Sequence, residues 1–454
     1  MKTVGLRSIV LYILLALFVG GLGVLGVRLL IYGDRWAMQP YNGHLYAEDS
    51  TVEMGAIRDR EGDTLAKTEN GARIYSDSET VRRALLHTVG DPDSNISTSV
   101  EYALRAKLTG YNVVTGLNDT LLSRLGRDVQ LTVEDGVCAA AYNALNGHNG
   151  AIIVYNYKNG EVLCKVSAPT FDPADPPEGI EDDPAYKGVY LDNTLSSAYT
   201  PGSIFKLVTA AAAMEKWPDT WSERTYDCEG SMELGGDVIT CLHGEAHGHQ
   251  TLGEALGHSC NVYFAQLARD IGAQALQKKA EQMGFNEELH LGNVPTAASE
   301  IDLSGANENQ LGWAGVGQYT ILANPTHMMC LMGAIAGGGA YTAPRLTKDA
   351  DLFGSLTTED HHLVTAAEAG NLKVLLRNVV KDYYGDGLFP EGWEVCAKTG
   401  TGEVGDGKNP NCWMVGFCGN EAHPYAFAVV VEEGDGGMES AGNAAAAVLR
   451  ALEN

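Results

Sequence analysis

The chain has 454 residues, of which 45% are hydrophobic and 20% charged, and its formal net charge is −27 with a pI near 4.7. This composition is typical of a globular protein, and the length allows two or three domains of about 150 residues each. No basic run occurs in the sequence, so nucleic acids and anionic membrane surfaces are poor candidates for partners.

The N-terminus contains one long apolar run. The residues between Arg7 and Arg28, SIVLYILLALFVGGLGVLGV, carry no charge and no proline, and they have about the length that a bilayer-spanning helix needs. A cleaved signal peptide would have an apolar region of roughly 7–15 residues and a small-residue cleavage site. We therefore predict an uncleaved membrane anchor over residues 1–35, although the flanking charges indicate its orientation only weakly. An anchor so close to the start usually leaves the remainder of the chain outside the cytoplasm.

Residues 36–128 are polar, mixed and rich in turn-forming residues. Their clearest feature is MGAIRDREGDTLAKT (Met54–Thr68), two short apolar pieces around the turn Asp59–Gly62. We predict a short pedestal or docking domain here rather than an enzyme core.

From Val129 onward the polar, turn-rich sequence gives way to apolar runs. The apolar runs at 151–155 and 162–166 bracket Asn159 and Gly160, which together predict a β-hairpin. A helix-rich middle follows.

Near the end of the chain, Trp413–Gly419 and Tyr425–Glu433 are typical of core strands, and residues 441–454 are typical of a closing helix. Two strands early, helices in the middle and two strands late predict one sheet built from both ends of a domain at 129–454 and covered by helices.

The stretch YTPGSIFK (Tyr199–Lys206) leads into an alanine-rich run that predicts a buried helix. Ser203 is the only serine with a lysine, Lys206, three residues later. On this stretch alone, Ser203 as a helix N-cap and Lys206 as a charge reaching solvent are the simpler interpretations.

Two further motifs change that interpretation. Ser259-Cys260-Asn261 is the only Ser-x-Asn in the chain, and Lys398-Thr399-Gly400 is the only Lys-Thr-Gly. The order S-x-x-K, S-x-N, K-T-G is the signature of penicillin-recognising serine acyl enzymes. Each motif alone is weak, but the ordered trio is strong.

The residue types suit acyl transfer. The Ser203 hydroxyl is a weak nucleophile that needs a base, and the one-turn spacing stacks Lys206 beside it. Lys206 can act only when neutral, and burial together with the charge of Lys398 would lower its pKa. We expect Asn261 to accept a hydrogen bond from Lys206 and to donate to a substrate amide, and Ser259 to relay a proton.

The backbone N–H groups of Ser203 and Thr401 are candidates for an oxyanion hole. Lys398 and the hydroxyls of Thr399 and Thr401 suit a substrate carboxylate.

The sequence resembles the class B penicillin-binding proteins over most of residues 54–434. The resemblance rests on the three motifs and on flanking stretches such as MGAIRDREGDTLA and GVGQYTILANPTHMMCLMGAIAGGG. It implies a β-lactamase-like α/β fold with a central antiparallel sheet covered by helices. It also implies that Ser203 is the nucleophile, Lys206 the base, Ser259 and Asn261 the second motif, and Lys398, Thr399, Gly400 and Thr401 the third.

The implied activity is that of a peptidoglycan D,D-transpeptidase, which cross-links stem peptides through a serine acyl-enzyme and is inhibited by β-lactams. No cofactor is implied. The expected partners are peptidoglycan stem peptides, β-lactams, the membrane, a membrane glycosyltransferase and elongation or division proteins. The region before Val129 is short for this family, which puts its usual pedestal contacts in doubt.

Other functions remain open. A membrane-anchored β-lactamase or a D,D-carboxypeptidase would use the same triad and transfer the acyl group to water. A β-lactam sensor would be expected to carry several membrane spans, and a non-catalytic wall scaffold would be expected to lose a triad residue. Barely 100 residues separate anchor and transpeptidase, which leaves no room for a glycosyltransferase domain.

The nine cysteines form no C-x-x-C pair, and the odd number leaves at least one thiol free. Cys228 and Cys241, which flank a glycine-rich loop, are the pair that we expect to bridge.

Three histidines, His243, His247 and His249, lie near Cys241 and His258 and have the residue types of a metal site. Their spacing matches no standard zinc pattern. We therefore predict a solvated loop or a packing role and no metal.

Overall fold

The computed structural model describes residues 2–37, 54–111, 127–348, 361–405 and 407–453. Helix α1 spans Lys2–Ala37. Within it, Ser8–Leu29 has a mean hydropathy of 2.6, and none of this apolar stretch is buried inside the protein. It is the one helix among the described residues that is long and apolar enough to cross a membrane. The predicted N-terminal apolar helix is therefore present.

A small N-terminal unit follows. Its elements are β1 (Ile57–Arg58), β2 (Thr64–Glu69), β3 (Ala72–Tyr75), α2 (Glu79–Ala84), α3 (Leu86–Val89), α4 (Val100–Ala103), α5 (Arg105–Thr109) and β4 (Val129–Gln130). The strands form one sheet in the order β3-β2-β1-β4, in which β4 runs parallel to β1. The first residues after the expected boundary at 128 thus hydrogen-bond to the N-terminal sheet.

The larger unit is built around a five-stranded sheet. Its strands are β5 (Gly150–Asn156), β6 (Val162–Ala168), β15 (Val395–Gly402), β16 (Asn411–Cys418) and β17 (Tyr425–Val431). The order is β15-β16-β17-β5-β6, and every neighbouring pair is antiparallel. The predicted hairpin and the predicted late strands are confirmed, and so is the sheet assembled from both ends of the domain.

The remaining elements surround this sheet. The helices are α6 (Asp135–Ala144), α7 (Lys206–Lys216), α8 (Leu252–Gly257), α9 (Asn261–Ile271), α10 (Ala273–Gln282), α11 (Glu308–Gly315), α12 (Pro325–Ala336), α13 (Ala366–Val379) and α14 (Asn443–Ala451). Short hairpin strands lie between them: β7 (Thr225–Cys228), β8 (Ser231–Leu234), β9 (Asp237–Thr240), β10 (Gly248–Thr251), β11 (His290–Leu291), β12 (Val294–Pro295), β13 (Ala340–Tyr341) and β14 (His361–His362).

The sheet is buried by helices because its strands are apolar on both faces. All eight residues of β16 are buried, as are all seven of β6. Helix α12 packs on β16, β17 and β5, whereas α6 packs on β6 and against α14. Such continuous burial is typical of a strand covered on both sides, and it explains why both strands are mostly apolar, with Lys165 and Ser167 as buried polar exceptions in β6.

Candidate active site

Ser203 lies in a 3-10 turn, Gly202–Phe205, which leads directly into α7. The turn is preceded by Pro201, and Ser203 sits inside the turn without capping it, so the N-cap interpretation is wrong. A 3-10 turn has three residues per turn, which places the side chains of Ser203 and Lys206 on the same side. Lys206 is fully buried, so the interpretation of a charge reaching solvent is also wrong.

The side-chain nitrogen of Lys206 faces the second motif. Its Nζ donates to the Ser259 carbonyl oxygen at 2.6 Å and to Asn261 Oδ1 at 2.8 Å, and it lies 3.3 Å from Ser259 Oγ. The two shorter bonds match the two N–H groups of a neutral amine, which leaves one lone pair to accept a proton. Burial lowers the pKa of Lys206 well below its usual range, and the charge of Lys398 lowers it further.

Lys398 approaches the same point from the sheet. It lies on β15, the edge strand, where Lys398, Gly400 and Gly402 lie on the same face. A Cβ on Gly400 would lie 2.4 Å from the Pro201 carbonyl oxygen, so this face looks onto the Ser203 turn. Lys398 Nζ donates to Ser259 Oγ at 3.1 Å. The Ser259 hydroxyl therefore lies between two lysines, and burial lowers the pKa of Lys398 to about 7.

The second motif sits at the start of α9. Ser259 has a φ of +54°, a left-handed conformation that is strained for a residue with a side chain, and this conformation accompanies the short bond from its carbonyl oxygen to Lys206. Asn261 accepts from Lys206 as expected. Its Nδ2 donates to the Thr240 carbonyl oxygen at 2.9 Å, so one of its two N–H groups is taken by β9 rather than by a substrate.

The backbone of β15 beside the turn presents an N–H group to the site. A Cβ on Gly202 would lie 2.2 Å from the Thr401 carbonyl oxygen, and Gln318 Nε2 donates to the same oxygen at 3.4 Å. That carbonyl thus points away from β16. In an antiparallel strand the N–H and C=O of one residue point to the same side, so the Thr401 N–H also leaves the free edge of the sheet. This geometry suits an oxyanion hole shared with Ser203.

Gly202 is a position where only glycine fits. Its φ is +54° in addition to the close approach of Thr401. We expect Gly202→Ala to lower the free energy of unfolding by about 2–5 kcal/mol, from the left-handed backbone and the forced displacement of β15. Chemical denaturation of the full chain in detergent measures this. The matched control is Gly370→Ala, where an added Cβ meets nothing within 4 Å and stability should not fall. Equal stability of the two variants would contradict the close approach.

Tyr384 was not predicted as a site residue, and it lies in a π-helical turn, Val380–Tyr384, after α13. Its hydroxyl accepts the Thr399 N–H at 3.1 Å and lies 2.9 Å from Thr399 Oγ1 and 3.4 Å from Lys398 Nζ. Tyr384 therefore holds the third motif in place. A tyrosine far from any motif, on an irregular turn, carries no local signal that could have identified it.

We expect Tyr384→Phe to slow acylation by a β-lactam about tenfold, or about 1.4 kcal/mol, because Thr399 and Lys398 lose a buried partner. The second-order rate constant of acylation measures the effect. Tyr383→Phe is the control, because Tyr383 is 40% exposed and its ring is retained. Equal rates for the two variants would show that the Tyr384 hydroxyl does not position the motif.

Of the cysteines and histidines in the middle region, some lie in an exposed loop and others lie close together in the interior. All nine cysteines are free thiols, and Cys228 and Cys241 lie with their sulfurs 3.7 Å apart, so the expected bridge between them is not formed in the structure. His243 and His249 are exposed, in line with a solvated loop. His247 instead turns toward Cys228, with Nδ1 3.4 Å from the sulfur.

The comparisons with known proteins agree with this geometry. A sequence profile described as the penicillin binding protein transpeptidase domain matches residues 150–453. Stage V sporulation protein D of Bacillus subtilis is 28% identical over 347 residues, which cover 71% of this chain and 52% of that protein. Peptidoglycan D,D-transpeptidase PbpA of Mycolicibacterium smegmatis is 27% identical over 429 residues, covering 83% of this chain and 84% of that protein. The chain thus spans about half the length of the first relative and most of the second.

Solved structures have the same fold. The D,D-transpeptidase domain of a peptidoglycan glycosyltransferase from Eggerthella lenta superposes with a TM-score of 0.73 at 27% identity, covering 89% of this chain and 98% of that one. The penicillin G acyl-enzyme complex of penicillin-binding protein A from M. tuberculosis gives a TM-score of 0.74 at 24% identity, with coverages of 88% and 100%. At that identity the second likeness concerns the fold alone.

Proposed function

The chain belongs to the penicillin binding protein transpeptidase domain family, and from this membership we propose that it is a peptidoglycan D,D-transpeptidase in which Ser203 is the acylated nucleophile. The observation that carries the assignment of roles is the convergence of all three motifs on one point. Lys206 and Lys398, from different elements, both contact Ser259 Oγ, at 3.3 and 3.1 Å.

In the proposed mechanism, neutral Lys206 takes the Ser203 proton as the oxygen attacks the carbonyl of the penultimate D-alanine. The charge that develops on the carbonyl oxygen is stabilised by the N–H groups of Ser203 and Thr401. The proton then passes through Ser259 to the leaving D-alanine. Lys398 and the hydroxyls of Thr399 and Thr401 bind the substrate carboxylate. The amine of a neighbouring stem peptide resolves the acyl-enzyme, and a β-lactam forms the same ester without an acceptor to release it.

We propose that α1 is an uncleaved single-pass anchor and that the remainder of the chain lies outside the cytoplasm. Its exposed apolar stretch of 22 residues, Ser8–Leu29, supports a bilayer as its surroundings. Residues 36–128 then act as a short pedestal and residues 129–454 as the transpeptidase domain. A membrane glycosyltransferase and proteins of elongation or division are the proposed partners.

The fate of the acyl group tests the activity. The full chain in detergent micelles is incubated with a stem pentapeptide, with and without a glycine acceptor. We expect the released D-alanine to be matched by new peptide–glycine amide when the acceptor is present. If D-alanine is released and the rest of the peptide is recovered only as the free acid, the enzyme is a D,D-carboxypeptidase instead. Rapid turnover of penicillin would indicate a β-lactamase, and no release together with no β-lactam adduct would indicate a scaffold.

A further inference from the structure

Four side chains of types that can bind a metal meet at the second motif, whose middle residue Cys260 is one of them. We call Cys228, Cys241, His247 and Cys260 the cysteine cluster. Their ligand atoms all lie within 4.8 Å of one another, and the three cysteines are buried. The catalytic roles proposed above use none of these side chains.

Three of the six distances within the cysteine cluster are close to the edges of a tetrahedral zinc site, and the other three are below 4.8 Å. Cys241 Sγ lies 3.7 Å from both Cys228 Sγ and Cys260 Sγ, and Cys228 Sγ lies 3.4 Å from His247 Nδ1. Zn–S bonds of about 2.3 Å and Zn–N bonds of about 2.0–2.1 Å give tetrahedral edges of about 3.8 Å between sulfurs and about 3.6 Å between sulfur and nitrogen. A disulfide, by contrast, needs an S–S distance of about 2.05 Å.

Backbone N–H groups point at two of the sulfurs. Gly230 N–H donates to Cys228 Sγ at 3.4 Å, and Tyr263 N–H donates to Cys260 Sγ at 3.3 Å. A metal-bound thiolate is stabilised by such outer hydrogen bonds, which also fix its orientation. The bond from Tyr263 also makes Cys260 the N-cap of α9.

We propose that the cysteine cluster binds one zinc ion through three thiolates and one imidazole. Binding releases the three thiol protons to solvent and forms three Zn–S bonds and one Zn–N bond. With four protein ligands the coordination sphere is closed, so the ion has no position for a water or a substrate and its role is structural. We predicted no metal from the sequence because the spacing of these residues matches no standard zinc pattern.

The zinc site would position the second motif. Cys260 lies between Ser259 and Asn261, whereas Cys241 follows Thr240, whose carbonyl oxygen accepts the Asn261 Nδ2 bond. One ion therefore holds both partners of this bond, and it fastens the segment from β7 to β10 to the start of α9. The metal site itself does not depend on the proposed activity. Only its effect on acylation rests on that proposal.

Metal analysis tests the inference. The full chain is purified in detergent from cells grown with zinc, and metals are measured by emission spectroscopy. We expect one zinc per chain, and less than a tenth of that in Cys228→Ser and His247→Ala. Cys330→Ser is the matched control, because Cys330 is buried in α12 outside the cluster, and it should retain the zinc. Replacement of zinc by Co²⁺ should give the intense visible bands of tetrahedral thiolate coordination.

Several results would overturn the proposal. These are a metal-free wild-type chain with nine free thiols, a wild-type chain containing iron or copper instead of zinc, and an intact mass lower by two hydrogens with Cys228 and Cys241 linked in one peptide. The wild-type measurement decides even if the variants fail to fold. Wild-type protein from which a chelator has removed the zinc should be acylated by penicillin about 10–100-fold more slowly. The modified residue should still be Ser203. Zinc at full content with no acylation at all would count against the proposed activity and leave the metal site standing.

Discussion

Replacing Ser203 by alanine is expected to abolish covalent labelling by penicillin, with a loss of acylation rate of roughly a millionfold, as for loss of a catalytic serine in other acyl enzymes. Ser259 cannot substitute for it, because its hydroxyl is already bonded by Lys398 and its backbone is held in a left-handed conformation. The label is followed by fluorescence on a denaturing gel, and the modified residue is mapped by mass spectrometry.

The Ser203→Ala variant should fold as the wild type does. The substitution removes one oxygen from a half-buried side chain, so the free energy of unfolding should change by no more than about 0.5 kcal/mol. Ser231→Ala, on the exposed side of β8, is the matched control and should label fully. Label recovered on a residue other than Ser203, or persisting in the alanine variant, would refute the assignment of the nucleophile.

Replacing Lys206 by arginine should reduce acylation by about 10²–10⁴-fold while the protein still folds. Arginine keeps the positive charge but does not lose a proton in the working pH range, so it cannot accept the Ser203 proton. The two acceptors of Lys206, the Ser259 carbonyl and Asn261 Oδ1, remain available to a guanidinium. A near wild-type rate in this variant would mean that the base lies elsewhere.

The pH dependence of acylation tests the same residue in a second way. Since the active form of Lys206 is the neutral amine, the rate should rise with pH through an apparent pKa well below the usual lysine value of about 10.4. The charge of Lys398 lowers that pKa, so Lys398→Ala should move the rising limb to higher pH. Burial lowers the pKa of Lys398 to about 7, so it is mostly charged below that pH, and the difference between the enzymes should be largest there.

Profiles of the second-order acylation rate constant, each normalised to its own plateau, separate this shift from weaker binding of the substrate carboxylate in Lys398→Ala. If the rising limb of the Lys398→Ala profile stays in place or moves to lower pH, Lys398 does not lower the pKa of Lys206 through its charge.

The parts of the molecule with a periodic or ordered sequence signal were predictable. The strands β5, β6, β16 and β17 are apolar runs bounded by turns, and the three motifs occur in a fixed order, so both the sheet and the residues that meet at Ser203 follow from the chain. The strand β15 was missed because Lys398–Gly402 alternates small and polar residues. Its glycines are needed for close approach to the Ser203 turn rather than for burial.

Two features near the site could be recognised only from the folded structure. Tyr384 reaches the third motif from the π-helical turn that follows α13, and no periodic pattern in the sequence indicates that turn. The cysteine cluster draws its ligands from the end of β7, the residue after β9, the loop before β10 and the start of α9. Hairpin pairing brings these positions together, and linear spacing does not show it.

The strand order of the central sheet has a consequence for how the protein is made. The middle strand β17, Tyr425–Val431, joins β5 to β16, yet it leaves the ribosome after the other four strands of that sheet. A nascent chain that ends before Tyr425 holds the β5–β6 hairpin with a bare edge and no place for the β15–β16 pair to dock. Every motif of the active site has by then been synthesised. The catalytic unit therefore assembles only after β17 has been synthesised, and until then an unpaired edge of β5 needs protection from other chains.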